Sequence, residues 1–382
     1  GGFYGLGFYG QAIQASGQYS EATSWSLQNF GQYLVACNPS DGKLWEWQLG
    51  TGSAAAVIAN APTDCLGLVV TEDRFIFALG ASGNPRRIAW CDFEDNTVWA
   101  AASTNQAGDI DLQTGGQIMA GIRTAGQTLI LTDQDAHRST YVGGSFIHQF
   151  ERVSSACGLI ARKAVVDTPA GAFWMSSAGF FTYDGSSVRE IQCDVHDKVF
   201  SDLNPAQISK CWAVSNGPNG EVWFYYPSAN SLEIDRYVVF DYKEGHWSMG
   251  ALARTSGFDR GVFKTPVWGD PDGSIYNHET GFNYDGGEVY AESGPFKIGA
   301  GENLAVVTSL IPDELNLGDV TTTFKTRLYP TSTETSHGPY TLTQPTSVRL
   351  QGRQVRMKVT GNTPSAWRVG KFRFEAKPGG KR

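Results

Sequence analysis

The sequence predicts an all-β fold, a six-bladed β-propeller body followed by a C-terminal β-rich platform domain. Three observations predict it. Short β-branched or aromatic runs alternate with Gly, Asn, Asp or Pro turns along most of the 382 residues. Glycine is high at 45 and aromatics reach 12%, while methionine is scarce at four, a balance of turns and aromatic strands, not of helices. From Phe296 onward the strands lengthen and the charge reverses.

The clearest apolar openings are YLVAC at Tyr33, RFIFAL at Arg74, TLILT at Thr128, AFWMS at Ala172, EVWFYY at Glu221 and PVWGD at Pro266. Their starts lie roughly 40 to 55 residues apart, the period of four-stranded propeller blades. Within units, NPSDGKLWEW, SSAGFFTYDGSSVREI and DPDGSIYNHETG set Asp-Gly or Gly between strands. Such units bury their faces only against neighbours, which drives ring closure. Six openings favour six blades over five or seven, and a stack of β-sandwiches would share the rhythm. In VHDKVFSDLNP, Val195, Val199 and Leu203 repeat at four-residue steps until Asn204-Pro205, which predicts a short helix over 195–203 between blades.

The body is therefore placed at 1–295 and the basic platform, or docking domain, at 296–382. In VRMKV, Val355, Met357 and Val359 face one way, Arg356 and Lys358 the other. Trp367 and Val369 share a face, but Phe372 and Phe374 have the opposite parity; a bulge at Gly370 would return both to the core and leave Lys371 and Arg373 outward. Residues 296–382 hold 13 Lys and Arg against 6 Asp and Glu, a local +7. The remaining 17 against 32 give residues 1–295 a local −15. Such a body repels nucleic acid on average, which argues against ordinary DNA wrapping. No apolar run approaches the ~20 residues of a membrane span, so no membrane insertion is expected, and no charged-then-apolar signal-peptide pattern is read. Cys37, Cys65, Cys91, Cys157, Cys193 and Cys211 are scattered without a CxxC, which predicts free buried thiols.

Chemistry is sparse. IAWCDFEDNTVWA, Ile88 to Ala100, sets Asp92, Glu94 and Asp95 between Trp90 and Trp99, as a glycosidase subsite or a turn beside buried strands would. Asp95-Asn96 is a natural turn pair, and the structural reading predicts core tryptophans with solvent-facing carboxylates. His278-Glu279 is half of HExxH, but position 282 is Phe. DPDG at Asp270 begins like a calcium loop without its final Glu, since position 281 is Gly, and DQDAH at Asp133 is weaker still. No GxSxG or P-loop occurs, and the opening GGFYGLGFYG lacks the helix of a dinucleotide site; it reads as a lead-in that pairs in an assembly. No catalytic residue, cofactor or metal is expected, and the chain is expected not to be an enzyme. Arg349, Arg353, Arg356, Lys358, Arg368, Lys371 and Arg373 are the candidate docking or phosphate contacts, alternatively a solvated face.

AWCDFEDNTVW, ACGLIARKAV with GAFWMSSAGFFTYDG, HWSMGALARTSGFDRG, IYNHETGFNYDG and GRQVRMKV…WRVGKFRFEAKPGGKR together resemble the tail nozzle proteins of short-tailed bacteriophages, also described as packaged-DNA stabilisation proteins. The likeness runs from about Trp25 to the end. It implies a propeller body on a strand-built platform, with six copies forming a tube beneath portal and adaptor ring. It further implies contacts with tail fibres or tip, double-stranded DNA as non-specific cargo, and residence in the virion after assembly in bacterial cytoplasm. It brings no catalytic residues. The competing expectations are a glycoside-hydrolysing propeller using Asp92, Glu94 or Asp95, and a carbohydrate-binding propeller that stacks sugars on exposed aromatics.

Overall fold

The computed structural model describes residues 24–282, 288–298, 303–361 and 364–380. The glycine-aromatic lead-in lies outside them. The chain divides into two compact units, Gly1–Glu279 and Thr280–Arg382.

Among the described residues the first unit carries six antiparallel sheets in chain order, each a meander of sequential strands. Five have four strands: Ser26–Phe30 to Ala56–Val57, Gly67–Val70 to Gly108–Asp111, Ile118–Thr124 to His148–Ser155, Val165–Thr168 to Val188–Ile191, and Trp212–Asn216 to His246–Ala251. The sixth has three, Ser256–Phe258, Val267–Gly269 and Ile275–Asn277. The first strands of successive sheets pack side by side from the first sheet to the sixth. This is the blade architecture of a β-propeller.

Each of the six apolar openings lies on the second strand of its sheet, not the first. That strand is hydrogen-bonded on both edges and covered on both faces, so it reads as a continuous apolar run. RFIFAL shows the division of labour. Ile76 and Ala78 join Val35, Cys37 and Leu44 in a core shared with the first sheet. Phe75, Phe77 and Leu79 join Ile118 and Ile130 in a core shared with the third. A larger core unites the third, fourth and fifth sheets around Leu129, Trp174 and Phe224, and Tyr225 and Trp268 link the fifth and sixth.

The helix spans His196–Asp202 between the fourth and fifth sheets, with Val199 buried. Asn204 then accepts the Ala206 N–H at 3.0 Å and opens a 3-10 turn at Pro205.

In the second unit two sheets share one core, which includes Val307, Phe324, Val348 and Val355. One is built on Val320–Arg327 and Gln354–Gly361, the other has the order Thr346–Gly352, Ala305–Ile311, Arg373–Pro378. The unit begins earlier than the expected Phe296 because Tyr290–Glu292 pairs with Gln354–Gly361. Gly370 lies between a bridge at Val369 and the strand beginning at Arg373, and Trp367, Val369, Phe372 and Phe374 all pack on the core.

All six cysteines are free thiols and five are buried. Burial pushes Cys37, Cys65, Cys91 and Cys211 up to about 12. A reducing agent should therefore leave Tm within about 1 °C, measured by calorimetry; a fall of many degrees would show a structural disulfide.

Candidate functional site

The acidic stretch is the leading chemical candidate, but two of its carboxylates hold backbone N–H groups and the third pairs with an arginine. Asp92 accepts the N–H groups of Phe93 at 2.9 Å and Gln106 at 2.7 Å. Asp95 accepts both the hydroxyl and the N–H of Thr97, at 2.6 and 2.9 Å, and those bonds lower its pKa. Glu94, in the left-handed region at φ 57°, pairs with Arg74 at 2.9 Å on the surface. No two of the three side chains share a partner.

Both tryptophans are buried, but they belong to different cores. Trp90 ends the strand Arg87–Trp90, donates its indole N–H to the Gln106 carbonyl at 2.8 Å, and packs with Phe77 and Ile88. Its ring lies over Gly108, where an added Cβ would stand 2.6 Å from the indole. Trp99 lies in the irregular connection after that strand, in the core of the first two sheets, and donates to the Asn96 carbonyl at 2.7 Å. The expected strand-turn-strand is therefore a strand followed by an irregular, largely exposed loop that buries Asn96 and Trp99.

The remaining motifs resolve in the same way. His278 accepts from Arg254 Nε at 2.9 Å and packs its ring, tilted by 33°, against Trp268 at 4.0 Å, while Asn216 and Asn219 donate to Glu279. Asp270 accepts the N–H groups of Asp272 and Ser274 in a turn. Asp133 accepts the Gln117 N–H at 2.9 Å, and buried Asp135 holds the Thr114 and Thr132 hydroxyls and the His137 ring. Among the described residues no three His, Cys, Asp or Glu side chains are grouped as a metal site, and no helix is long and apolar enough to cross a membrane.

The seven basic candidates separate into two sets. Arg356 pairs with Glu292 at 3.2 Å and Glu334 at 3.4 Å, and Lys358 pairs with Glu288 and sits 4.1 Å over the Tyr290 ring. Arg353 stacks on Tyr329 at 5.0 Å. Arg349, Arg368, Lys371 and Arg373 are exposed and make no ion pair among the described residues. In the three-stranded sheet Ser309 pairs with both Ser347 and Glu375, and Ile311 pairs with Arg373. By the two-residue period Arg349, Arg373 and Glu375 share the outer face. Lys377, which the sequence reading passed over, lies on it too.

One residue went unnoticed. His148, 6% exposed, is ringed by Phe75, Phe77, Trp90, Tyr141 and Phe150 at 4.7 to 6.4 Å. Burial lowers its pKa to about 4. The string SFIHQF gives no hint of this, because the surrounding rings come largely from another sheet.

No family model matches the chain, and no curated protein does. Among solved structures it is similar to a streptogramin B lyase, at 9% identity over 66% of this chain and 81% of that one, TM-score 0.43. It is also similar to virginiamycin B lyase from Staphylococcus aureus, at 7% over 71% and 92%, TM-score 0.42. A putative 6-phosphogluconolactonase from Bacteroides fragilis follows at 12% over 67% and 82%, TM-score 0.44. These neighbours include enzymes, so the expectation that the chain is not an enzyme is withdrawn. At such identities they bring no substrate or reaction to it.

Trp90→Ala should lower stability by roughly 3–5 kcal/mol in chemical denaturation, and Glu94→Gln should change it by less than about 0.5 kcal/mol. An unaffected Trp90→Ala would place the indole outside the core. For His148 the unfolded chain binds the proton more tightly than the folded one, so its contribution is complete above about pH 6.5 and is lost as pH falls toward 4. Between those limits the wild type should lose on the order of 3 kcal/mol that a His148→Phe variant does not. Parallel pH profiles would contradict the buried neutral imidazole.

Proposed function

We propose that this chain is a structural virion protein, the subunit of a tail nozzle that lies below portal and adaptor, retains packaged DNA and conducts it during ejection. The observation that carries the reading is the ordered set of strings resembling short-tailed phage nozzle proteins, which spans both units. The charge division supports it. With the boundary at Glu279, the first unit holds 17 Lys and Arg against 29 Asp and Glu, a local −12, and the second 13 against 9, a local +4.

The physics of a conduit explains why such a division is useful. A duplex passing a basic wall would release counterions and bind, each neutralised phosphate strengthening the hold. An acidic wall repels phosphate, so DNA slides without adhering. In this reading six copies form the tube, the first unit supplies its wall, and the basic second unit docks toward the adaptor ring or neighbouring subunits. Double-stranded DNA is cargo, with fibres or a tip as further partners, and the protein resides in the virion. The carbohydrate alternative draws no support from the acidic turn, whose carboxylates serve separate structural partners.

Electron microscopy of the purified protein mixed with its phage's portal and adaptor tests the reading. The expected result is a ring of this chain stacked beneath the adaptor. A protein that stays monomeric and never joins the adaptor would overturn it.

A further inference from the structure

The second unit itself neutralises the cations that its five-stranded sheet turns away from the core. Lys325 and Arg356 converge on Glu292 at 3.0 and 3.2 Å, Arg356 also reaches Glu334, and Lys358 is held by Glu288. Its uncompensated charge is therefore concentrated elsewhere, on the outer face of the sheet Thr346–Gly352, Ala305–Ile311, Arg373–Pro378. Arg349, Arg373 and Lys377 stand there, with Arg368 and Lys371 on the approach to the last strand. None of the five makes an ion pair among the described residues.

Two further features decide what this face is suited to hold. It is not purely cationic: Ile311, 45% exposed, pairs directly with Arg373, and Leu315, 65% exposed, donates its N–H to the Arg368 carbonyl. Arginine interleaved with exposed aliphatic side chains has the composition of a protein interface, where both kinds of group are desolvated together. Glu375 also lies on the face between Arg373 and Lys377, where it would repel a phosphate backbone at close range. The required partner is thus an acidic protein surface with some apolar area, not a nucleic acid.

We infer that this outer sheet face docks onto the acidic first unit of a second copy of the chain, with Arg349 and Arg373 as its charged anchors and Ile311 and Leu315 as its apolar ones. The charge complementarity is intrinsic to the chain, a local +4 against a local −12. Such a contact joins unlike surfaces, and repeated contacts of that kind build rings when the rotation closes. The inference rests on the proposed nozzle only for the size of the ring; the face and its partner follow from the side chains.

Sedimentation velocity of the full chain at low and high salt tests it, using Arg349→Glu with Arg373→Glu, Ile311→Ser with Leu315→Ser, and Lys297→Glu, exposed on the second unit's other sheet, as a charge control. Self-association of the wild type should weaken as salt rises. The arginine pair should weaken it at least about tenfold and the apolar pair measurably, while the control stays at wild-type strength. All three variants alter exposed side chains, and an unchanged melting temperature verifies their folding. Unaltered association in the arginine variant would overturn the inference, as would a wild type that remains monomeric at low salt. Loss of binding to a double-stranded oligonucleotide with self-association untouched would overturn it too, and reassign the face to nucleic acid. Joining to the adaptor is scored separately, so rings that persist in the arginine variant would remove this interface and leave the nozzle standing.

Discussion

Everything in the first unit depends on one packing constraint: a four-stranded sheet with two apolar faces has no core of its own. The strand Ile76–Leu79 makes the point, since alternate side chains go to the core with the first sheet and to the core with the third. Neither set could be buried without both neighbours. The same dependence repeats at Leu129 and Trp174, and it extends to the sixth sheet through Trp268. Ordering so many residues is compensated only when successive sheets are assembled against one another.

That constraint also accounts for the chemistry found and not found. Polar groups near the seams are drawn into holding loops against the cores, as Asp92 does for Gln106 and Asp135 does for two threonines. His148 is the extreme case, a titratable ring taken into an aromatic wall and kept neutral by its burial. The second unit follows a different economy, with two sheets over one core and cations paired across the five-stranded one. The cations left over collect on its other sheet.

The sequence made some of this legible and hid the rest for physical reasons. The second strands announced themselves because burial on both faces demands continuous apolar residues, as in EVWFYY and AFWMS. First strands were missed because they are short or partly polar: SLQNF and WAVSN look unremarkable. Trp99 was read into a strand because an indole signals burial without saying which backbone carries it. The unit boundary was placed too late because Tyr290–Glu292 is three residues long and finds its partner far along the chain, at Thr360 and Lys358. Gly370 was expected to bulge within a strand, but residues 370–372 lie between the bridge at Val369 and the strand Arg373–Pro378, and this irregular stretch lets the four apolar side chains share the core. The basic residues could be counted, but the neutralising Glu292 and Glu334 come from another strand and from a loop, so tied and untied cations looked alike.

Native-state hydrogen exchange on the full chain tests most directly the claim that neighbouring sheets complete one another. The amides of Tyr33–Asn38, Ile76–Leu79, Gln127–Thr132, Gly171–Met175 and Glu221–Tyr226 should open with one common free energy, distinct from that of Val320–Arg327 in the second unit. Separate opening energies, sheet by sheet, would show that each sheet stands alone and would contradict the account.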